Sequence, residues 1–215
     1  MTLRVGILGI DGSGKSTLVA GLEEQLTPGR SLLIVGQRLT VYDRVGGRHD
    51  LLPPLPEAAH PLRHLGRNLR RHWLLQRLPT LIARHRPDIC LEDRDTLIDP
   101  SALITAYLPV LRHVGPRRRV AILAGLSGRL PADLYLYLRL SAAVAEGRLQ
   151  QKLQRMRRPR AWHESPLRLA RMETEYSRFL QYLGEEGIPV MVLDAAQPVD
   201  VVCDIACRSI AERFR

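Results

Sequence analysis

One stretch constrains this chain more than any other: Gly9-Ile10-Asp11-Gly12-Ser13-Gly14-Lys15-Ser16-Thr17, which reads G-x-x-x-x-G-K-[ST]. It follows a short apolar run, residues 3–8, with the look of a buried strand, and it opens a helical pattern over residues 16–26. Strand, glycine-rich loop and helix form the context in which this pattern binds phosphate. Glycines at 9, 12 and 14 let the backbone take positive φ and come close to an anion. Free N–H groups at the loop and helix start then point at phosphate oxygens, aided by the helix dipole. Lys15 supplies a point charge near the transferred phosphate, and the Ser16 hydroxyl is a ligand for Mg²⁺.

The use of basic residues strengthens this reading. Lysine plus arginine number 32, but lysine occurs only at positions 15 and 152. A lysine kept at the loop in a chain that otherwise writes positive charge as arginine points to a need for a compact ammonium. The net charge of +10 and a pI near 10.3 suit an anionic partner, whether a phosphorylated small molecule, nucleic acid or a membrane surface, or else an arginine-biased solvated surface. A length of 215 residues with 45% apolar content predicts one domain, 1–215. Cys90, Cys203 and Cys207 lack metal-ligand spacing, Cys90 reads as a core residue, and a reducing cytoplasm is the expected location. The N-terminus reads as a strand and not as a signal peptide, and no apolar run approaches membrane-spanning length.

Along the chain, residues 31–35 form the second predicted strand. Arg38 comes at its carboxyl end, where open α/β sheets bind ligands, and is a candidate second-substrate contact or a surface arginine. Residues 41–66, rich in Pro, Gly, His and Arg, show no periodicity and are expected to form an irregular wall or lid of an acceptor pocket. A helix is predicted over 66–86, with Leu69, Trp73, Leu78, Leu81 and Ile82 on one face, Pro79 as a kink, and Arg70 and Arg71 either facing an acceptor phosphate or solvated. The third strand, 89–91, runs into Glu92-Asp93-Arg94-Asp95. Acids there are expected to hold or orient Mg²⁺, and Arg94 to clamp a phosphate. Asp99-Pro100 reads as an N-cap followed by proline at N1. Arg117-Arg118-Arg119 reads as a solvated helix start, and a helix over 120–126 ends at Ser127-Gly128.

The fourth strand, 134–140, leads to Ser141 as cap of a helix with Ala145, Leu149, Leu153 and Met156 on its inner face. That helix ends in Arg155, Arg157, Arg158 and Arg160, an arginine-rich lid over about 154–164. A helix opens at Ser165-Pro166 with Leu169, Met172, Tyr176, Phe179 and Leu183 inward. Residues 189–193 form the fifth strand and 198–213 the last helix. The alternation predicts an α/β fold, a parallel sheet with helices on both faces.

The loop, Asp93-Arg94, Pro131-Ala132-Asp133-Leu134 with its following strand, Ser141-Ala142-Ala143-Val144-Ala145, Glu164 with Arg171 and Tyr176, and Asp194-Ala195 together resemble the thymidylate kinase branch of the P-loop nucleoside monophosphate kinases. The resemblance implies a three-layer P-loop kinase fold with five parallel strands, ATP on residues 9–17, Mg²⁺ at Ser16 and Asp93, and transfer of the γ-phosphate to a nucleotide. In that family Asp11 would contact the acceptor sugar and Arg94 the acceptor phosphate. With Gly at position 12, the catalytic arginine would come from the lid, among Arg155, Arg157, Arg158 and Arg160. The family also forms homodimers. The chain departs from it on the acceptor side. Gln37-Arg38-Leu39-Thr40 replaces Thr-Arg-Glu-Pro-Gly-Gly, Asp95 follows Asp-Arg, and Trp73 is the one plausible stacker for a base in its helix.

Three functions follow. The first is an ATP- and Mg²⁺-dependent kinase of a nucleoside monophosphate with a dTMP-like acceptor, where Arg38, Arg70, Arg71 and Arg94 offset charge. The second is a kinase of a hydroxyl acceptor, for which Glu92, Asp93 or Asp95 would serve as base. The third is a nucleotide-switched binding module, for which no helix-turn-helix and no aromatic-interleaved basic face is present in the sequence.

Overall fold

The computed structural model describes residues 2–36, 39–43, 47–52, 76–93, 95, 97–107, 109–128, 130–157, 160 and 164–213. Strands β1 (Leu3–Leu8), β2 (Leu32–Val35), β3 (Leu39–Tyr42), β4 (Arg48–Leu52), β5 (Ile89–Asp93), β6 (Leu134–Arg139) and β7 (Val190–Asp194) form one sheet in the order β4-β3-β2-β5-β1-β6-β7. The five predicted strands are present and parallel: β2, β5, β1, β6 and β7. β2 is buried throughout, and β1, β5 and β6 are buried over most of their length, as the centre of a sheet covered on both faces requires, while β7 at the edge is largely half-buried or exposed.

Residues 39–52 depart from the expected irregular wall. β3 returns antiparallel to β2, pairing Val35 with Leu39, and β4 pairs antiparallel with β3. Polar residues such as Thr40, Arg48 and His49 hide the strands from a hydrophobic pattern. Pairing with β2 buries Thr40, Val41 and Tyr42 all the same. Residues 44–46 and 53–66 of that segment, and the start of the predicted helix to residue 75, fall outside the described residues.

Helices are α1 (Lys15–Leu26), α2 (described over 76–85), α3 (Ile98–Tyr107), α4 (Pro116–Ser127), α5 (Ala142–Arg155), α6 (Pro166–Glu185) and α7 (Val199–Glu212), with a 3₁₀ turn at Pro109–His113. Register fixes the faces. Leu33 and Cys90 are partners on one face and pack under Leu78, Leu81 and Ile82 of α2. Leu32 and Tyr42 are partners on the other, where the Tyr42 hydroxyl bonds Glu23 of α1. α1 also packs on α7, and Gly21 makes the approach possible: a Cβ there would lie 2.4 Å from Cys203 Sγ.

Three local expectations change. Asp99 does not cap α3; it sits inside the first turn, fully buried, and accepts a hydrogen bond from the Tyr176 hydroxyl. The cap is Asp95, whose Oδ2 accepts from the N–H groups of Leu97 (2.7 Å) and Ile98. Arg119 is not solvated. It is 4% exposed, pairs with Glu175 at 2.6 Å, donates to the Ser101 carbonyl and lies over the Phe179 ring at 4.9 Å. Met156, expected inward, is 45% exposed, because α5 ends at Arg155 before that turn reaches the core.

Candidate functional site

The site is built at the carboxyl ends of β1, β2, β5 and β6, where the loop after β1 turns into α1. Gly9, Gly12 and Gly14 have φ of +148°, +86° and +96°. At two of them a side chain is barred by space as well. A Cβ on Gly9 would lie 2.6 Å from Ser13 Oγ and 3.0 Å from the Leu138 carbonyl, and a Cβ on Gly12 would lie 2.7 Å from the Ala145 carbonyl of α5. The loop is therefore pressed between β6 and the first turn of α5. Ser141 holds that turn, its Oγ accepting from Val144 N at 3.4 Å.

The N-terminus of α1 is left open. Gly14 caps it without a side-chain bond, and no acidic residue lies in its first turn. The first-turn N–H groups and the positive end of the helix dipole thus face the loop's open side, the arrangement that binds an anion. Lys15 is buried at 6% exposure, and its Nζ donates to the Gly9 carbonyl (2.5 Å) and the Ile10 carbonyl (2.9 Å). Its charge is thereby held within the loop. The buried Ser13 Oγ has no hydrogen-bond partner among the described residues. Asp11 and Gly12 are half-buried, while Ser16 and Thr17 stay exposed.

Across from the loop, the Ser16 hydroxyl donates to Asp93 Oδ2 at 3.4 Å. Asp93 ends β5, one strand from β1, with Ile7 as its register partner. Gly36, just after β2, makes room for it: a Cβ there would lie 2.8 Å from Asp93 Cβ. A hydroxyl and a carboxylate beside a phosphate loop are hard oxygen donors that fit Mg²⁺, which takes one or two protein ligands and completes its shell with phosphate and water.

The neighbours of Asp93 do something else. Glu92 is fully buried, and its Oε1 accepts from both Nε (3.2 Å) and Nη2 (2.7 Å) of Arg4. Arg4 Nη1 also donates to the Leu130 and Pro131 carbonyls. Burial pulls the guanidinium pKa down, but Glu92 beside it, with Cys90 and Asp95 nearby, more than offsets this, so the net shift is upward and Arg4 stays charged. Asp95 is fully buried too and takes the Tyr135 hydroxyl on Oδ1 at 3.3 Å. Neither acid is presented to a substrate, which corrects their nomination as bases for a hydroxyl acceptor.

The end of α5 carries the arginines. Arg155 and Arg157 are exposed, and Arg157 has a left-handed φ of 48° that stops the helix. Arg160 pairs with Glu146 of α5 at 2.5 Å. Glu164 is buried, and Tyr176 packs on Tyr137 with ring centroids 5.7 Å apart. Arg38, Arg70, Arg71, Trp73, Arg94 and Arg158 lie outside the described residues. Arg4, Tyr135 and Glu146 went unnoticed in the sequence because each acts on a partner far along the chain. The one available signal was charge inside apolar strands, as at Arg4 and Glu92.

No protein-family model and no curated protein sequence matches the chain. Solved structures do match. Deoxyadenosine kinase from M. mycoides with the products dCMP and a flexible dCDP bound superposes with a TM-score of 0.60 at 18% identity, covering 98% of this chain and 100% of that one. The same enzyme with dATP gives 0.60 at 17% identity, covering 97% and 99%. With dCTP it gives 0.58 at 16% identity, covering 98% and 100%. The chain therefore shares, end to end, the α/β P-loop fold of a deoxynucleoside kinase, with a mixed sheet whose core is parallel.

Proposed function

We propose that this chain is a single-domain ATP- and Mg²⁺-dependent kinase that transfers the γ-phosphate of ATP to a nucleoside monophosphate with a dTMP-like acceptor. The observation that carries the reading is the open phosphate loop: glycines forced by space and φ, an uncapped α1, and Lys15 and Ser16 beside Asp93. Loop amides and the α1 N-terminus bind the ATP phosphates, and Lys15 lies against the β- and γ-phosphates. Ser16 and Asp93 would hold Mg²⁺, which when bound would neutralise charge on the phosphates. An acceptor phosphate oxygen attacks the γ-phosphorus as the bond to ADP breaks. It is already anionic and needs no base. The acceptor side is assigned to the segment 37–75, with Arg38, Arg70, Arg71 and Trp73, together with Asp11 and Arg94. Arg155, Arg157 and Arg158 close from the lid, 154–164.

The inward fates of Glu92 and Asp95 leave Asp93 as the one carboxylate of the turn at the loop, and its reading as a Mg²⁺ ligand favours a phosphate over a hydroxyl as acceptor, because a hydroxyl wants a carboxylate to take its proton. The fold likeness to a deoxyadenosine kinase favours the second reading, transfer to a nucleoside hydroxyl. ADP release with MgATP, measured across nucleoside monophosphates, nucleosides and small alcohols, separates them. Saturable turnover with dTMP or another monophosphate is expected. Turnover with nucleosides alone moves the enzyme to the second reading, and silence across the panel overturns the kinase assignment.

A further inference from the structure

Glu92, Asp93 and Asp95, at and just beyond the end of β5, have different surroundings, and Asp95 has more partners than a helix cap requires. Capping α3 needs one oxygen aimed at the first N–H groups, and Ser, Thr or Asn supplies it as well as Asp. Asp95 does this with Oδ2 alone, towards Leu97 and Ile98. Its Oδ1 reaches across β1 to the Tyr135 hydroxyl of β6, and its own N–H lies 3.4 Å from the Ile7 carbonyl of β1. The space for this crossing is reserved by Gly6. A Cβ at position 6 would lie 2.6 Å from the Tyr135 ring and 3.3 Å from Asp95 Cβ. Tyr135 is itself fixed, since its oxygen accepts from Ala132 N at 3.0 Å. Burial and the charge of Asp95 keep its phenol protonated, so it remains a donor. The chain is thus anchored to β1, β6 and the start of α3 two residues beyond Asp93. On the other side Gly36 sets the limit, its missing Cβ leaving just the room Asp93 occupies.

We propose that Asp95, braced by Tyr135, is the positioning residue that holds the Asp93 carboxylate against Ser16. This rests on the reading of Ser16 and Asp93 as the Mg²⁺ ligands of the kinase. A supporting carboxylate of this kind commonly changes metal affinity by about 10- to 100-fold when altered.

The test is the Mg²⁺-dependent gain in ATP affinity of the full chain, measured by titration calorimetry with and without Mg²⁺, so that no turnover is required. Asp95→Asn keeps a capping oxygen and loses the charge. It is expected to reduce the Mg²⁺-dependent gain about tenfold, with Mg²⁺-free ATP affinity unchanged. Tyr135→Phe leaves the cap intact and carries the test if the first variant folds poorly. Its loss is expected in the same direction and smaller. Wild-type Mg²⁺ dependence in both variants, with only a lowered melting temperature, would overturn the inference and leave Asp95 a structural cap. A wild-type chain that binds ATP with no gain from Mg²⁺ would instead overturn the metal reading of Ser16 and Asp93, and this inference with it.

Discussion

Residues 9–15 and residues 92–99 face each other across the bond from Ser16 to Asp93, and their shapes have different origins. The loop owes its course to its own glycines and to the helix it opens, with Lys15 bonded to carbonyls five and six residues back. In the turn, every carboxylate but Asp93 is set by a side chain far along the chain: Glu92 by Arg4, 88 residues away, Asp95 by Tyr135, 40 away, and Asp99 by Tyr176, 77 away. A phosphate cradle can be written in one short word of sequence. A turn that sorts one half-buried acid from three buried ones needs the whole sheet and two helices around it.

If that contrast is right, substitutions in the loop should remove activity without unfolding the chain, and substitution of the buried Glu92 of the turn should do the reverse. The largest expected effect is Lys15→Ala, a loss of turnover of about 10³-fold with the thermal melt nearly unchanged. Retained turnover in that variant would break the loop assignment. Next comes joint replacement of Arg155, Arg157 and Arg158 by Ala. It should lower kcat by about 10²-fold with little change in ATP affinity. An effect confined to the melting curve would make the stretch an ordinary basic helix end. Glu92→Gln strands the mostly buried Arg4 guanidinium and should cost about 3 kcal/mol in urea unfolding, while kcat of the folded fraction holds. A kcat collapse at unchanged stability would return Glu92 to the list of bases. Ser141→Ala removes the cap of the helix turn behind Gly12 and should cost about 0.5–1 kcal/mol, visible as a small shift in the unfolding midpoint.

The same contrast explains what could be read in advance. The parallel strands are runs of apolar residues, and β1 with the loop and α1 announces itself by pattern. The Ser141 cap and the inner face of α6 follow local rules as well. The β3–β4 hairpin escaped because its burial comes from pairing with β2 and not from alternation within its own residues. Arg119 read as one of three solvated arginines, because nothing near it in sequence reveals Glu175 and Phe179 waiting on α6. Asp95 and Asp99 exchanged roles for a similar reason. Either could cap α3 by spacing, and Tyr135 and Tyr176 decide which carboxylate faces the amides and which is drawn into the helix packing.

The seclusion of Lys15 makes the chain a natural reporter for amine chemistry. Apart from the α-amino group, its only primary amines are Lys15, 6% exposed and engaged with two carbonyls, and the exposed Lys152. A limited dose of an acylating reagent should therefore mark Lys152 and the amino terminus and spare the loop. In intact-mass spectra a third adduct would signal opening of the cradle. Its suppression by nucleotide would measure occupancy without any enzymatic assay.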